Sequence, residues 1–182
     1  MTRTVPTPPD NIYVQKHYVD REALELRNGH RGACVWLTGL SASGKSSIAV
    51  ALQSILHERG IHTYALDGDN MRRGLCNDLR FGAEDRAENI RRAGSVAALM
   101  VDAGLIVIAA VISPYQAGRD AARAQIPEGR FVECHVSCSI ETCAERDPKG
   151  LYERAKAGEI QNFTGISAPY EVPQNPELVL HT

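Results

Sequence analysis

An apolar run, Ala33-Cys34-Val35-Trp36-Leu37-Thr38, leads directly into Gly39-Leu40-Ser41-Ala42-Ser43-Gly44-Lys45-Ser46, and a helical pattern opens at Ser46-Ser47. The G-x-x-x-x-G-K-S pattern cradles phosphate in the context of strand, glycine-rich turn and helix, and all three are present in that order. The glycines let backbone N–H groups turn inward on a polyphosphate, and the helix N-terminus adds its partial positive charge. In this reading Lys45 reaches the β- and γ-phosphates, and the Ser46 hydroxyl faces Mg²⁺. The alternative is a glycine-rich turn that only resembles the motif. With every fixed position present and both flanks right, the loop predicts binding of a nucleoside triphosphate.

Hydrophobic periodicity extends this into a fold. Strand 33–38 passes through the loop into a helix of about 46–59, with Ile48, Ala51, Leu52 and Ile55 on one face and Gly60 as its stop. A second strand, 62–66, ends at Asp67-Gly68-Asp69-Asn70. A long helix of about 83–103 carries Ile90, Ala93, Ala97, Met100 and Val101 at helical spacing, and Gly104 closes it. Residues 105–112 form an apolar, β-branched run suited to a central parallel strand covered on both faces. Helix 115–125, strand 131–136, helix 140–145 and strand 178–180 complete the alternation. Repeated strand-helix-strand units predict an α/β fold with a parallel sheet between helices. Upstream, Pro- and Thr-rich residues 1–12 read as disordered, and a short helix falls around 20–26, ending at Asn28-Gly29. The expected organisation is a tail with a short helix over 1–30 and one domain over 31–182.

A chain of 182 residues is long enough for one such core. Its formal charge of −2 argues for neither nucleic acid nor an anionic membrane as partner. No stretch is apolar enough to span a bilayer, and the first residues lack the apolar core of a signal peptide. Five cysteines without a C-x-x-C pair suit neither a disulfide framework nor a structural metal, and Cys34 and Cys134 read as small buried hydrophobes. A cytoplasmic location is expected.

In parallel sheets ligands bind beyond the carboxyl ends of the strands, which brings Asp67, Asp69 and Ser113 to the phosphate loop. Of the two carboxylates, one can hold Mg²⁺ and one can accept a proton from an attacking hydroxyl. A plain turn is the simpler reading of Asp-Gly-Asp-Asn. Arg72, and Arg86 with Asn89 on one helix face, are candidates for clamping an anionic acceptor bidentately. Arg91 and Arg92 read instead as solvated surface. The basic segment between Gly150 and Gly158, with Lys149 and Arg154, reads as a mobile lid, or more simply as a charged surface helix.

These pieces together resemble the adenylylsulfate (APS) kinase family. The resemblance rests on the loop at 39–46, Leu66-Asp67-Gly68-Asp69-Asn70 with Arg72, and Asp85-Arg86 with Glu88-Asn89-Ile90-Arg91-Arg92. Ile112-Ser113-Pro114, Arg146-Asp147-Pro148-Lys149-Gly150-Leu151-Tyr152, Asn162-Phe163-Thr164-Gly165-Ile166 and Pro169-Tyr170-Glu171 follow in the family's order. It implies a three-layer P-loop kinase fold with a mobile lid, and transfer of the γ-phosphoryl of MgATP to the 3′-hydroxyl of APS in sulfate assimilation. By that resemblance Lys45, Asp69, Ser113 and Lys149 are the catalytic candidates. Gly39, Leu40, Ser41, Ala42, Ser43, Gly44, Lys45, Ser46 and Ser47 would hold ATP, with Arg146 against its adenine, and Ser46 and Asp69 would hold Mg²⁺. Asp67, Asp69, Arg72, Arg86, Asn89, Ile112, Ser113 and Lys149 would contact the acceptor, whose adenine Phe81 and Phe163 would sandwich. Ser113 matches a serine described in the family as a phosphoserine intermediate, but direct in-line attack makes it a substrate contact instead.

The resemblance also implies a homodimer and a partnership or fusion with ATP sulfurylase. Three departures stand out. Ala42 replaces a common glycine, tolerable if its φ is negative. Gly82 replaces a serine cap. Family domains continue past the last strand into a C-terminal helix, expected to be missing here. The rival readings are another small-molecule kinase of this fold and a non-catalytic nucleotide-binding regulatory domain. A GTPase would need an Asn-Lys-x-Asp motif, which the sequence lacks.

Overall fold

The computed structural model describes Tyr13, Gln15 and residues 18–182; the tail expected at 1–12 lies outside the described residues. Helix α1, Arg21–Asn28, starts where the Asp20 carboxylate accepts from Ala23 N, and it stops at Gly29 in the left-handed conformation. Strand β1, Ala33–Thr38, leads into α2, Lys45–Glu58, and then β2, Thr63–Asp67. Asp67 to Asn70 is more than a turn: Asp67 caps a short helix α3, Gly68–Arg72, its carboxylate accepting from Asp69 N and Asn70 N. The long helix α4, Ala83–Asp102, starts at Gly82, which supplies no side-chain cap. Strand β3 covers Ile106–Ala110, shorter than the apolar run predicts: Val111 N still donates to Leu37 O at 3.2 Å, and Ile112 to Pro114 then leave the ladder to line the site. Helix α5, Gln116–Arg123, strand β4, Phe131–Ser137, helix α6, Ile140–Arg146, helix α7, Leu151–Lys156, and strand β5, Leu178–His181, follow.

The five strands lie in the order β2-β3-β1-β4-β5, and every pairing is parallel. A parallel strand buried on both faces reads as an unbroken apolar run, and β1 and β3 do so because helices cover both sides of the sheet. On one face Trp36, Val107 and Phe131 pack with Ile90, Ala97 and Val101 of α4. On the other, Leu37, Ile108 and Val136 pack with Ala49 of α2. Trp36 is fully buried and stacks on Phe131 at 5.7 Å, with its Nε1–H donated to Ser113 Oγ at 3.1 Å. Burying one such ring is worth on the order of 2–3 kcal/mol. A third cluster, Leu40, Cys143, Tyr152, Ala155 and Phe163, docks α7 beside the phosphate loop. Cys34 and Cys134 are buried in their strands. Among the described residues no helix is long and apolar enough to cross a membrane.

The opposite, amino edge of the sheet is held by charge. Arg130 forms an ion pair with Glu25 of α1 and donates from Nη1 to Gly32 O at 2.8 Å, while Gly32 N donates to Glu25 Oε1 at 2.8 Å. Gly32 runs so close to the end of α4 that a Cβ there would lie 2.4 Å from Val101 O. Backbone cannot yield as a side-chain tip does, so Gly32→Ala should lower stability by about 1–3 kcal/mol. Gly74→Ala, with nothing within 4 Å of its would-be Cβ, should leave stability unchanged or slightly raised. Chemical denaturation of both variants checks the contrast.

Candidate active site

The turn after β1 builds the phosphate loop. Gly39 is buried with φ +153, Ser43 is fully buried, and Gly44 caps α2 in the left-handed conformation. Ala42 differs from expectation: its φ is +59, so its methyl sits in the region that favours glycine, a strain of about 1 kcal/mol. Lys45 folds back over the loop, donating to Leu40 O and, at 3.4 Å, to Ser43 Oγ. It is 8 % exposed, and burial pulls its pKa down from 10.5 to about 8, opposed by the nearby carboxylates of Asp67 and Asp69.

The carboxyl ends of the strands converge there as parallel topology requires. A cavity of about 450 Å³ is lined by Ser41, Ala42, Lys45 and Ser46 from the loop and by Asp67, Asp69 and Arg72 from the end of β2 and α3. Phe81, Arg86 and Asn89 line it from the start of α4, and Ile112 and Ser113 from the end of β3. Lys149 and Phe163 complete the lining. Gly39, Leu40, Ser43, Gly44 and Ser47 do not line this cavity, although all but Ser47 belong to the loop's turn itself. Arg146 also lies apart, with Nη1 3.6 Å from Cys138 Sγ.

Two kinds of charge meet in the cavity. Ser46 Oγ donates to Asp67 Oδ2 at 2.7 Å, and Asp69 is ion-paired with Lys149 from the α6–α7 segment. Arg72 and Arg86 bond only to carbonyls, Leu79 O and Arg80 O for the first and Phe81 O and Asn162 O for the second. Among the described residues neither guanidinium has a carboxylate partner. Burial, then the charge of Arg72, lowers the pKa of Arg86. Asn89 is 6 % exposed, and among the described residues its Nδ2 has no hydrogen-bond partner.

The aromatic rings do not stand as two free plates. Phe81 is exposed, and the Arg72 guanidinium lies 4.4 Å from its ring centroid. Phe163 lines the cavity yet is core: it is 8 % exposed and meets Tyr152 edge-on at 4.9 Å. Phe163 is thus both a member of the cluster that docks α7 and a residue that reaches the cavity. Arg91 is exposed beside Glu88, but Arg92 is not merely solvated, since it is forked onto Asp78 and bonded to Glu88 and Leu75 O. The basic segment is helix α7, tied to the phosphate loop by Tyr152 Oη donating to Ser41 O at 2.9 Å. Periodicity did not single out Thr164, which lines the cavity and whose buried hydroxyl has no partner among the described residues; its place in the Phe-Thr-Gly element was the available signal.

The family model described as adenylylsulphate kinase matches residues 31–181. The chain is 57% identical over 171 residues to an adenylyl-sulfate kinase of Citrobacter koseri, covering 94% of this chain and 85% of that protein. It is 54% identical over 173 residues to an adenylyl-sulfate kinase of Shewanella amazonensis, covering 95% and 87%. The structure of a Mycobacterium tuberculosis APS kinase in complex with AMPPNP and APS superposes with a TM-score of 0.80 at 49% identity, over 83% of this chain and 88% of that one. A phosphate loop at the centre of a five-stranded parallel sheet, matched over nearly the whole domain, places this chain in the adenylylsulphate kinase family.

Proposed function

We infer that this protein transfers the γ-phosphoryl group of ATP to the 3′-hydroxyl of APS, giving ADP and 3′-phosphoadenylyl sulfate. The observation that carries the acceptor half is the pair of guanidiniums, Arg72 and Arg86, which line one cavity and, among the described residues, are ion-paired to no carboxylate. Two such forks suit a phosphosulfate, and the free amide of Asn89 suits a ribose hydroxyl or base edge. The relatives named adenylyl-sulfate kinase support the same reading.

The donor half rests on the loop. Inward N–H groups and Lys45 hold the polyphosphate, and Arg146, next to Cys138, is the candidate partner of the ATP adenine. Ser46 Oγ, Asp67 and Asp69 present an all-oxygen set of hard donors that fits Mg²⁺. When bound, Mg²⁺ neutralises charge on the β- and γ-phosphate oxygens.

In the reaction the 3′-oxygen bonds to the γ-phosphorus, the bond from that phosphorus to the ADP oxygen breaks, and the hydroxyl proton passes to Asp69. Lys149 meets Asp69 from the lid, so it brings a cation to the same point and excludes water as α7 docks. Ser113 has its hydroxyl engaged by Trp36 and is 1 % exposed, which favours a positioning role over a covalent one.

Lys45→Met should cut phosphoryl transfer by more than about a hundredfold, since it removes the cation aimed at the transferred group. The melting temperature without ligand should hold or rise, because a buried cation is gone. The folded lysine releases its proton near pH 8 while the unfolded one keeps it to about 10.5. The unfolded chain therefore binds more protons in that window, and this group's contribution to stability climbs with pH there. Denaturation curves from pH 7 to 11 should show that climb in the wild type and lose it in Lys45→Met.

The function itself is tested by coupled ADP release with APS, gluconate, shikimate, AMP and CMP as separate acceptors. Turnover should require APS, and γ-labelled ATP without acceptor should leave no label on Ser113. Equal rates with gluconate, or stoichiometric phosphoserine during turnover, would each overturn part of this reading.

A further inference from the structure

Behind the acceptor side of the cavity lies a buried ion pair that none of these steps uses. Arg119 of α5 is 1 % exposed and Glu133 of β4 is 3 % exposed. Arg119 Nε lies 2.7 Å from Glu133 Oε1, close in charge but out of line for a hydrogen bond. Desolvating two charges offsets much of their attraction, so a buried pair is poor ground for stability alone.

The rest of the guanidinium shows what the pair holds. Nη1 donates to Ser113 O at 2.7 Å, and Nη2 donates to Gln116 Oε1 at 2.6 Å and to Glu171 O at 2.8 Å. Ser113 has φ +40, a left-handed conformation that a non-glycine residue keeps only where its surroundings over-determine it. Those surroundings are present. Thr38 Oγ1 donates to Ile112 O at 2.8 Å, Trp36 holds the serine hydroxyl, and Glu171 N donates to Pro114 O at 2.8 Å. Two of these side chains join the Ser113 turn to the segment that returns from Phe163 and Thr164: Thr38, whose hydroxyl also bonds Tyr170 Oη at 3.0 Å, and Arg119, which alone of the two carries a charge and holds backbone carbonyls of both segments. Ser113 and Pro114 of the first and Phe163 and Thr164 of the second line the same cavity.

We propose that Arg119, held by Glu133, is a positioning residue that fixes the Ser113 turn against the 163–171 segment and so sets the acceptor in line with the transferring phosphoryl group. The planar fork is essential, because a lysine ammonium on one stem cannot serve two carbonyls and a carboxylate in these directions. The proposal rests on APS being the acceptor.

The test is steady-state kinetics with APS and ATP varied separately, alongside thermal melting, for the wild type, Arg119→Lys, Glu133→Gln and the double variant Arg119→Met/Glu133→Gln. The double variant leaves no unpaired buried charge, so it should fold even if Arg119→Met alone does not. Arg119→Lys and the double variant should lower kcat/KM for APS by roughly tenfold or more, with KM for ATP within about twofold of wild type. Glu133→Gln should move the same parameter in the same direction by less. A folded double variant with wild-type kcat/KM for APS overturns the proposal. So does a parallel rise in both Michaelis constants that tracks melting temperature, and so does failure of all the variants to fold, since each marks the pair as scaffold only. A wild type that turns over no APS instead removes the functional reading on which the proposal stands.

Discussion

The phosphate loop depends on the missing side chain at Gly39. A Cβ there would lie 2.5 Å from Val136 O of β4 and 2.9 Å from Ser43 Oγ. The chain therefore leaves β1 pressed against its neighbouring strand and turns at once, which buries Ser43 and starts α2 over the turn. Lys45, in the first turn of that helix, lies back across the loop, enclosed by Leu40 O and Ser43 Oγ. Its lowered pKa is a consequence of that enclosure. The donor side of the site thus follows from one close approach between two backbones.

The acceptor side has a different logic, in which charge is left over. Arg91 and Arg92 answer to Glu88 and Asp78, and Arg123 to Glu177, whereas Arg72 and Arg86 answer only to carbonyl oxygens. Carbonyls hold a guanidinium in place without cancelling its charge, so the two keep their attraction for an anion. Asp69 is the exception, its charge already met by Lys149.

Much of this was legible in the sequence, for identifiable reasons. Buried parallel strands are continuous apolar runs, so β1 and β3 announce themselves, and α4 keeps its spacing over five turns. The loop motif fixes where the strand ends must meet. What stayed hidden depends on contacts between segments far apart in the chain. Asp67 reads as a turn residue because a helix of five residues is too short to show periodicity. Ala42 packs against the cluster that docks α7, a contact with no local signal, and Phe163 looks like a free platform until Tyr152 is seen against it. Arg119 and Glu133, on a helix and a strand with ordinary polar spacing, carry no local signal of being buried together.

All five strands point the same way, so their amino ends gather at one edge and their carboxyl ends at the other. The Glu25–Arg130 pair and the close passage of Gly32 lie wholly at the amino edge, joining α1, β1, α4 and β4. That separates two kinds of selection in space. Substitutions at the amino edge can raise or lower the resistance of the domain to heat or acid without altering a distance at the phosphate loop. The fold can therefore adapt to the temperature of a new host while its chemistry stays fixed.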